Sequence, residues 1–173
     1  MKLIVGLGNP GSQYRNTRHN IGETMLSRFL EKRNKKLKYD SKFVAEILKD
    51  DEIVYAFPQT FMNLSGNAVE SIARFYKIHP RDILVLHDEI DFPTGKIALK
   101  IGGGTAGHNG LKSISEKLGN GEYQRIRIGI GRPEEGKKTV SDYVLSKFKP
   151  DEIQILEEKE SEIFGLVENF LLN

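Results

Sequence analysis

The chain contains no cysteine, which excludes disulfides and any thiolate nucleophile or metal ligand, and fits a cytoplasmic protein. No apolar run approaches the ~20 residues that a membrane-spanning helix needs. The opening stretch, Met1-Lys2-Leu3-Ile4-Val5-Gly6, is too short for a signal peptide and reads as a first strand. Internal repeats and low-complexity linkers are missing too, so the 173 residues read as one domain, 1–173. There is no Gly-x-Ser-x-Gly elbow to present a serine nucleophile. With serine and cysteine both set aside, water is the nucleophile that remains.

What is present is an α/β pattern. Strands are expected at Lys2–Gly6, Phe43–Lys49, Glu52–Pro58, Ile83–His87, Lys96–Ile101 and Arg125–Gly131. Ile83-Leu84-Val85-Leu86 is apolar throughout, as a central strand covered on both faces should be. Arg125-Ile126-Arg127-Ile128 alternates, which gives that strand one polar or functional face. Asp50-Asp51 marks a hairpin turn. Asn20 with Glu23 resembles a capping box before a helix whose inner face is Ile21, Met25, Phe29 and Leu30. Ser65 is expected to cap a second helix, with Val69, Ile72, Ala73 and Tyr76 inward. A third helix is expected over 110–118, ending at Gly119. A long acidic helix over 151–172 has Ile155, Ile163, Val167 and Phe170 on its apolar side. Alternating strands and helices imply a layered α/β fold, a twisted mixed sheet flanked by helices.

The charge is unevenly placed. Residues 151–173 hold seven acids against Lys159, a balance of −6, while residues 1–150 hold 25 basic and 17 acidic groups, a balance of +8. A basic body with an acidic tail suits a polyanionic partner. It equally suits a lysine-rich surface that serves solubility alone.

Four motifs carry chemistry. Gly6-Leu7-Gly8-Asn9-Pro10-Gly11 matches the dinucleotide fingerprint by letter. That fingerprint works by opening a helix toward the pyrophosphate, and no helical pattern begins here before Asn20. The glycines instead serve to turn the chain and project Asn9 into a crevice. Gly102-Gly103-Gly104-Thr105-Ala106-Gly107-His108-Asn109-Gly110 allows close approach by another molecule but lacks the Gly-Lys-Ser/Thr ending of a P-loop. His87-Asp88-Glu89 falls where an apolar strand ends, the place where ligands gather in open α/β sheets. His19 lies between the first glycine turn and the first helix. An imidazole there can activate water near neutral pH, and Asp88 can orient it. His19, His87, Asp88 and His108 are also a conceivable metal set, but none of the usual ligand spacings appears.

Taken together, Gly6-Leu7-Gly8-Asn9-Pro10-Gly11, Thr17-Arg18-His19-Asn20, Phe61-Met62-Asn63-Leu64-Ser65-Gly66, His87-Asp88-Glu89, the 102–110 glycine loop and Arg125-x-Arg127-Ile128-Gly129-Ile130-Gly131 resemble the bacterial-type peptidyl-tRNA hydrolases. The resemblance runs in order from Met1 to about Phe148. It implies an enzyme that cleaves the ester joining a peptide to the 3′-terminal ribose of tRNA, with peptidyl-tRNA as its partner. His19 would be the catalytic base and Asp88 its orienting carboxylate. The substrate side would be formed by Asn9, Tyr14, Phe61, Met62, Asn63, His108 and Asn109, and Lys100 and Arg127 would contact tRNA phosphates. The resemblance further implies no organic cofactor, no metal, no membrane, and a cytoplasmic monomer. Retention of both His19 and Asp88 argues against the alternative of a non-catalytic RNA-binding relative.

Overall fold

The computed structural model describes residues 1–173. In chain order the strands are β1 (Lys2–Gly6), β2 (Lys38–Asp40), β3 (Ala45–Asp50), β4 (Ile53–Pro58), β5 (Ile83–Glu89), β6 (Ile97–Ile101) and β7 (Gln124–Gly129). The α-helices are α1 (Ile21–Glu31), α2 (Ser65–Tyr76), α3 (Asn109–Leu118), α4 (Val140–Val144), α5 (Pro150–Glu158) and α6 (Glu160–Leu172). The seven strands form one mixed sheet in the order β2-β3-β4-β1-β5-β7-β6. Its centre, β4-β1-β5-β7, is parallel, and the remaining strands join antiparallel.

The period-2 geometry of a strand divides the core. Ile4, Leu84, Leu86, Ile126 and Ile128 point to one face, where Met25 and Phe29 of α1 and Ile163 and Val167 of α6 meet them. Leu3, Val5, Ile83 and Val85 point to the other, against Val69 and Ile72 of α2 and Leu111 and Ile114 of α3. Each such side chain removed from water stabilises the fold by about 1.5–3 kcal/mol. The first turn of α1 lies almost on the sheet backbone: a Cβ built on Gly22 would sit 2.0 Å from the Leu86 carbonyl oxygen. Only glycine permits that approach.

The chain leaves β1 to build one side of the sheet through β4, then returns to build the other side from β5. The crevice beyond the carboxyl ends of β4, β1 and β5 is therefore a topological switch point, where ligands bind in folds of this type.

Several sequence expectations need correction. Asn20 stands at the N-cap of α1 but its side chain makes no capping bond, and Glu23 accepts from Ser27 instead. Ser65 is the first residue of α2 rather than its cap, and its hydroxyl donates to the Met62 carbonyl at 2.8 Å. The acidic helix of 151–172 is two helices, α5 and α6, that meet at Lys159. Ile155 is exposed on α5, outside the core. Two short elements, β2 and α4, carry no pattern that reading the sequence could detect.

Candidate active site

Asn9 follows β1 directly, and its placement explains what Asn20 does in place of capping. The Asn9 N–H donates to Asn20 Oδ1 at 2.9 Å, and Asn20 Nδ2 donates back to the Asn9 carbonyl at 2.9 Å. The Met62 N–H donates to Asn9 Oδ1 at 2.7 Å. Asn9 is thus clamped between the first glycine turn and the Phe61-Met62-Asn63 segment. One lone pair of its oxygen is thereby engaged, and its Nδ2 donors bond nothing else in the protein.

His19 sits in a single 3₁₀ turn, Arg18–Asn20, just ahead of α1. The turn is anchored by buried Arg18, which pairs with Glu152 at 2.6 Å, bonds Ser146 Oγ at 3.0 Å, and lies over the Tyr143 ring at 4.3 Å. Asp88 lies on β5 itself, because that strand extends two residues past its expected end. His19 Nδ1 is 2.9 and 3.0 Å from the two oxygens of Asp88. A carboxylate accepts, so Nδ1 carries the proton and Nε2 keeps a free lone pair.

His108 approaches the same carboxylate, with Nε2 2.8 Å from Asp88 Oδ1. Its Nδ1 accepts from the N–H groups of Gly110 and Leu111 at 3.1 and 3.2 Å, capping α3. Those two contacts orient the ring so that Nε2 faces Asp88. His87 is buried beside it, donates Nδ1–H to the Asp88 carbonyl at 2.8 Å, and has no partner for Nε2. Burial, reinforced by the neighbouring His108, pushes its pKa down to about 3, so His87 is uncharged.

Burial works against charge on Asp88, but His19 and His108 outweigh it and hold its carboxyl well below the usual range. Burial likewise depresses His19, and the Asp88 charge and hydrogen bond overcome this, leaving the imidazole more basic than usual. The result is an ionised carboxylate between two imidazoles, with a third ring, His87, held neutral.

These groups line a cleft of about 330 Å³. Asn9, His19, Phe61, Met62, Asn63, Asp88, His108 and Asn109, all singled out in the sequence, border it. Tyr14 does not; it packs edge-on against Phe61, with ring centroids 6.3 Å apart. Lys100 and Arg127 also lie off the cleft, on the β6–β7 ribbon. Arg127 Nε donates to Glu89 at 2.8 Å, and Glu89 does border the cleft. The apolar wall formed by Val140, Val144 and Leu145 was missed, since a five-residue helix gives no readable periodicity.

His19, Asp88 and His108 are the one group close enough together to hold a cation. Their facing atoms already hydrogen-bond one another, and His108 Nδ1 is occupied by backbone. A metal would have to displace both bonds to Asp88.

The fold and site define an α/β protein with a histidine–carboxylate centre in an open cleft at the sheet's switch point. The family model described as Peptidyl-tRNA hydrolase matches residues 3–173. A peptidyl-tRNA hydrolase from Mesoplasma florum is 48% identical over 89% of this chain and 84% of its own length. One from Wolinella succinogenes is 50% identical over 92% of this chain and 81% of its own. The crystal structure of peptidyl-tRNA hydrolase from Acinetobacter baumannii superposes with a TM-score of 0.92 at 39% identity, covering 99% of this chain and 89% of that one. The chain belongs to the peptidyl-tRNA hydrolase family.

Proposed function

We propose that this chain hydrolyses the ester of peptidyl-tRNA with a water molecule activated by His19, and without a covalent intermediate. Family membership supports the reaction. The route is carried by one observation: His19 Nδ1–H is committed to Asp88, which leaves the Nε2 lone pair free on a ring that borders the cleft.

The chemistry follows from those two facts. His19 Nε2 takes a proton from water as the oxygen attacks the ester carbonyl, and Asp88 stabilises the imidazolium that forms. The tetrahedral intermediate carries an oxyanion, for which Asn9 offers N–H donors and Asn109 a further carboxamide. Collapse breaks the bond to the 3′-terminal ribose oxygen, which takes the proton back from His19. Asn63 reads the adjoining peptide group, while Phe61 and Met62 receive its side chains, with Tyr14 backing Phe61. His108 supports Asp88 more directly than it touches substrate. Lys100 and Arg127 meet RNA phosphates outside the cleft. No metal or cofactor is assigned a step, and the protein acts as a monomer in the cytoplasm.

Hydrolysis of N-acetyl-aminoacyl-tRNA, measured with and without a chelator, tests this route. Activity persists under chelation, and His19→Ala lowers kcat by at least ~100-fold, the usual cost of losing a general base. Chelator-sensitive turnover, or a His19→Ala variant with wild-type kcat, sinks the proposal.

A further inference from the structure

The β6–β7 ribbon places Lys100 directly opposite Arg125, with Arg127 one rung further along the same face. Like charges facing across strands destabilise a sheet. Of the three, only Arg127 has a carboxylate partner, Glu89. Arg125 is only 1% exposed, yet its guanidinium meets carbonyl oxygens alone: Gly104, Gly103 at 2.9 Å and Gly121 at 3.5 Å. It lies over the Tyr123 ring at 4.5 Å. Burial of a charge without a counter-ion is costly, and local packing alone does not require an arginine there.

The clamp has a geometric result. With their carbonyls drawn inward to Arg125, the exposed residues Gly103 and Gly104 have N–H groups that bond nothing else in the protein. The Lys100 ammonium lies over the same turn: a Cβ on Gly103 would come within 2.7 Å of Lys100 Cε and 3.1 Å of Nζ. Gly103 also has φ of 93°, a conformation that other residues avoid. Two free amide donors beside an unpaired ammonium, over a buried positive charge, match the chemistry of a phosphate.

We infer that Arg125 is a positioning residue that shapes the Gly102–Gly104 turn into a cradle for an RNA phosphate, contacted by Lys100 and the N–H groups of Gly103 and Gly104. The inference rests on the reading of the chain as acting on tRNA. It adds to Lys100 and Arg127 a buried residue and two backbone donors.

The test uses the full chain as wild type, Arg125→Lys and Arg125→Met, with hydrolysis kinetics and binding of deacylated tRNA across a salt series. Lysine keeps the charge but loses the fork that holds several carbonyls. Both variants raise KM by at least about tenfold, with a smaller fall in kcat. Both also flatten the salt slope of binding by about 0.7 for each phosphate that the cradle no longer neutralises. A lysine variant with wild-type KM and slope overturns the proposal, and so does a loss confined to kcat. Amide exchange on the wild type needs no variant to fold: deacylated tRNA protects Gly103 and Gly104, and absence of that protection overturns the cradle. A wild type that fails to hydrolyse peptidyl-tRNA defeats the functional reading instead, separately from the exchange result.

Discussion

On the proposed route His19 must be neutral to accept a proton, so its basicity sets where activity begins. Asp88 raises the His19 pKa against the opposing pull of burial. The acid limb of kcat/KM therefore falls above the ordinary histidine value of about 6.5. Asp88→Asn removes the raising interaction and leaves the burial. The limb then shifts to lower pH, and the plateau drops by at least ~100-fold because an amide no longer fixes the tautomer. A pH–rate profile of both proteins checks this; an unmoved limb removes Asp88 from the charge balance of the site. Asn9 makes a related point about individual residues. A carboxamide in isolation is free to turn either end to a ligand, but here the Met62 N–H bonds the oxygen and fixes the orientation. The sequence singled out the residue, while the bond that orients its side chain came only from the fold.

Among the secondary elements, those with long apolar periodicity were legible and the rest were not. β5 is apolar over its first four residues, and α1 and α2 carry clear inner faces. β2 is three polar, largely exposed residues on the sheet edge and leaves no such trace. The division between α5 and α6 was hidden because Lys159 is itself near-helical, so the apolar spacing runs on across it. Asn20 shows the limit of local rules. An Asn-x-x-Glu spacing suggested a cap, yet the side chain bonds a residue eleven positions back that no short-range pattern reveals. The segments that line the cleft stood out because their glycines, asparagines and histidines are unusual company. α4 was not, although it walls the cleft. Two alanine substitutions test the packing argument. Gly22→Ala drives a Cβ into the Leu86 carbonyl and costs about 1–3 kcal/mol, or several degrees of Tm. Gly165→Ala in α6 meets nothing within 4 Å and stabilises by up to about 1 kcal/mol. Thermal melts in which the two changes share a sign contradict the close contact of α1 with the sheet.

Across the molecule, the charge asymmetry of the sequence becomes a docking arrangement. Glu152, Glu160 and Glu168 pair with Arg18, Arg28 and Arg33, so the acidic α5–α6 segment lies along the α1 side. The unpaired cations of β6 and β7 are left on the opposite sheet face, beside α3. Global stability has its own pH signature. His87 is neutral when folded, with a pKa of about 3, but titrates near 6.5 when unfolded. Its folded-state value is depressed, so the unfolded chain binds the extra proton, and stability falls as pH drops from about 6.5 toward 3. His19 has the opposite sign: its contribution is complete below 6.5 and fades as pH rises through its folded value. Urea unfolding at pH 7 and pH 5 separates the two. His87→Gln loses about 2 kcal/mol less than wild type between those pH values. An identical loss in both proteins contradicts a neutral buried His87.

One oxygen, Asp88 Oδ1, lies within hydrogen-bond distance of both His19 and His108, and His108 also closes the first turn of α3. His19 is thereby linked to the start of α3, where the glycine loop ends, through a single atom. A lesion at either ring will be felt at the other, so their separate effects on the reaction will not sum. Whatever tilts that turn also shifts the carboxylate that His19 meets.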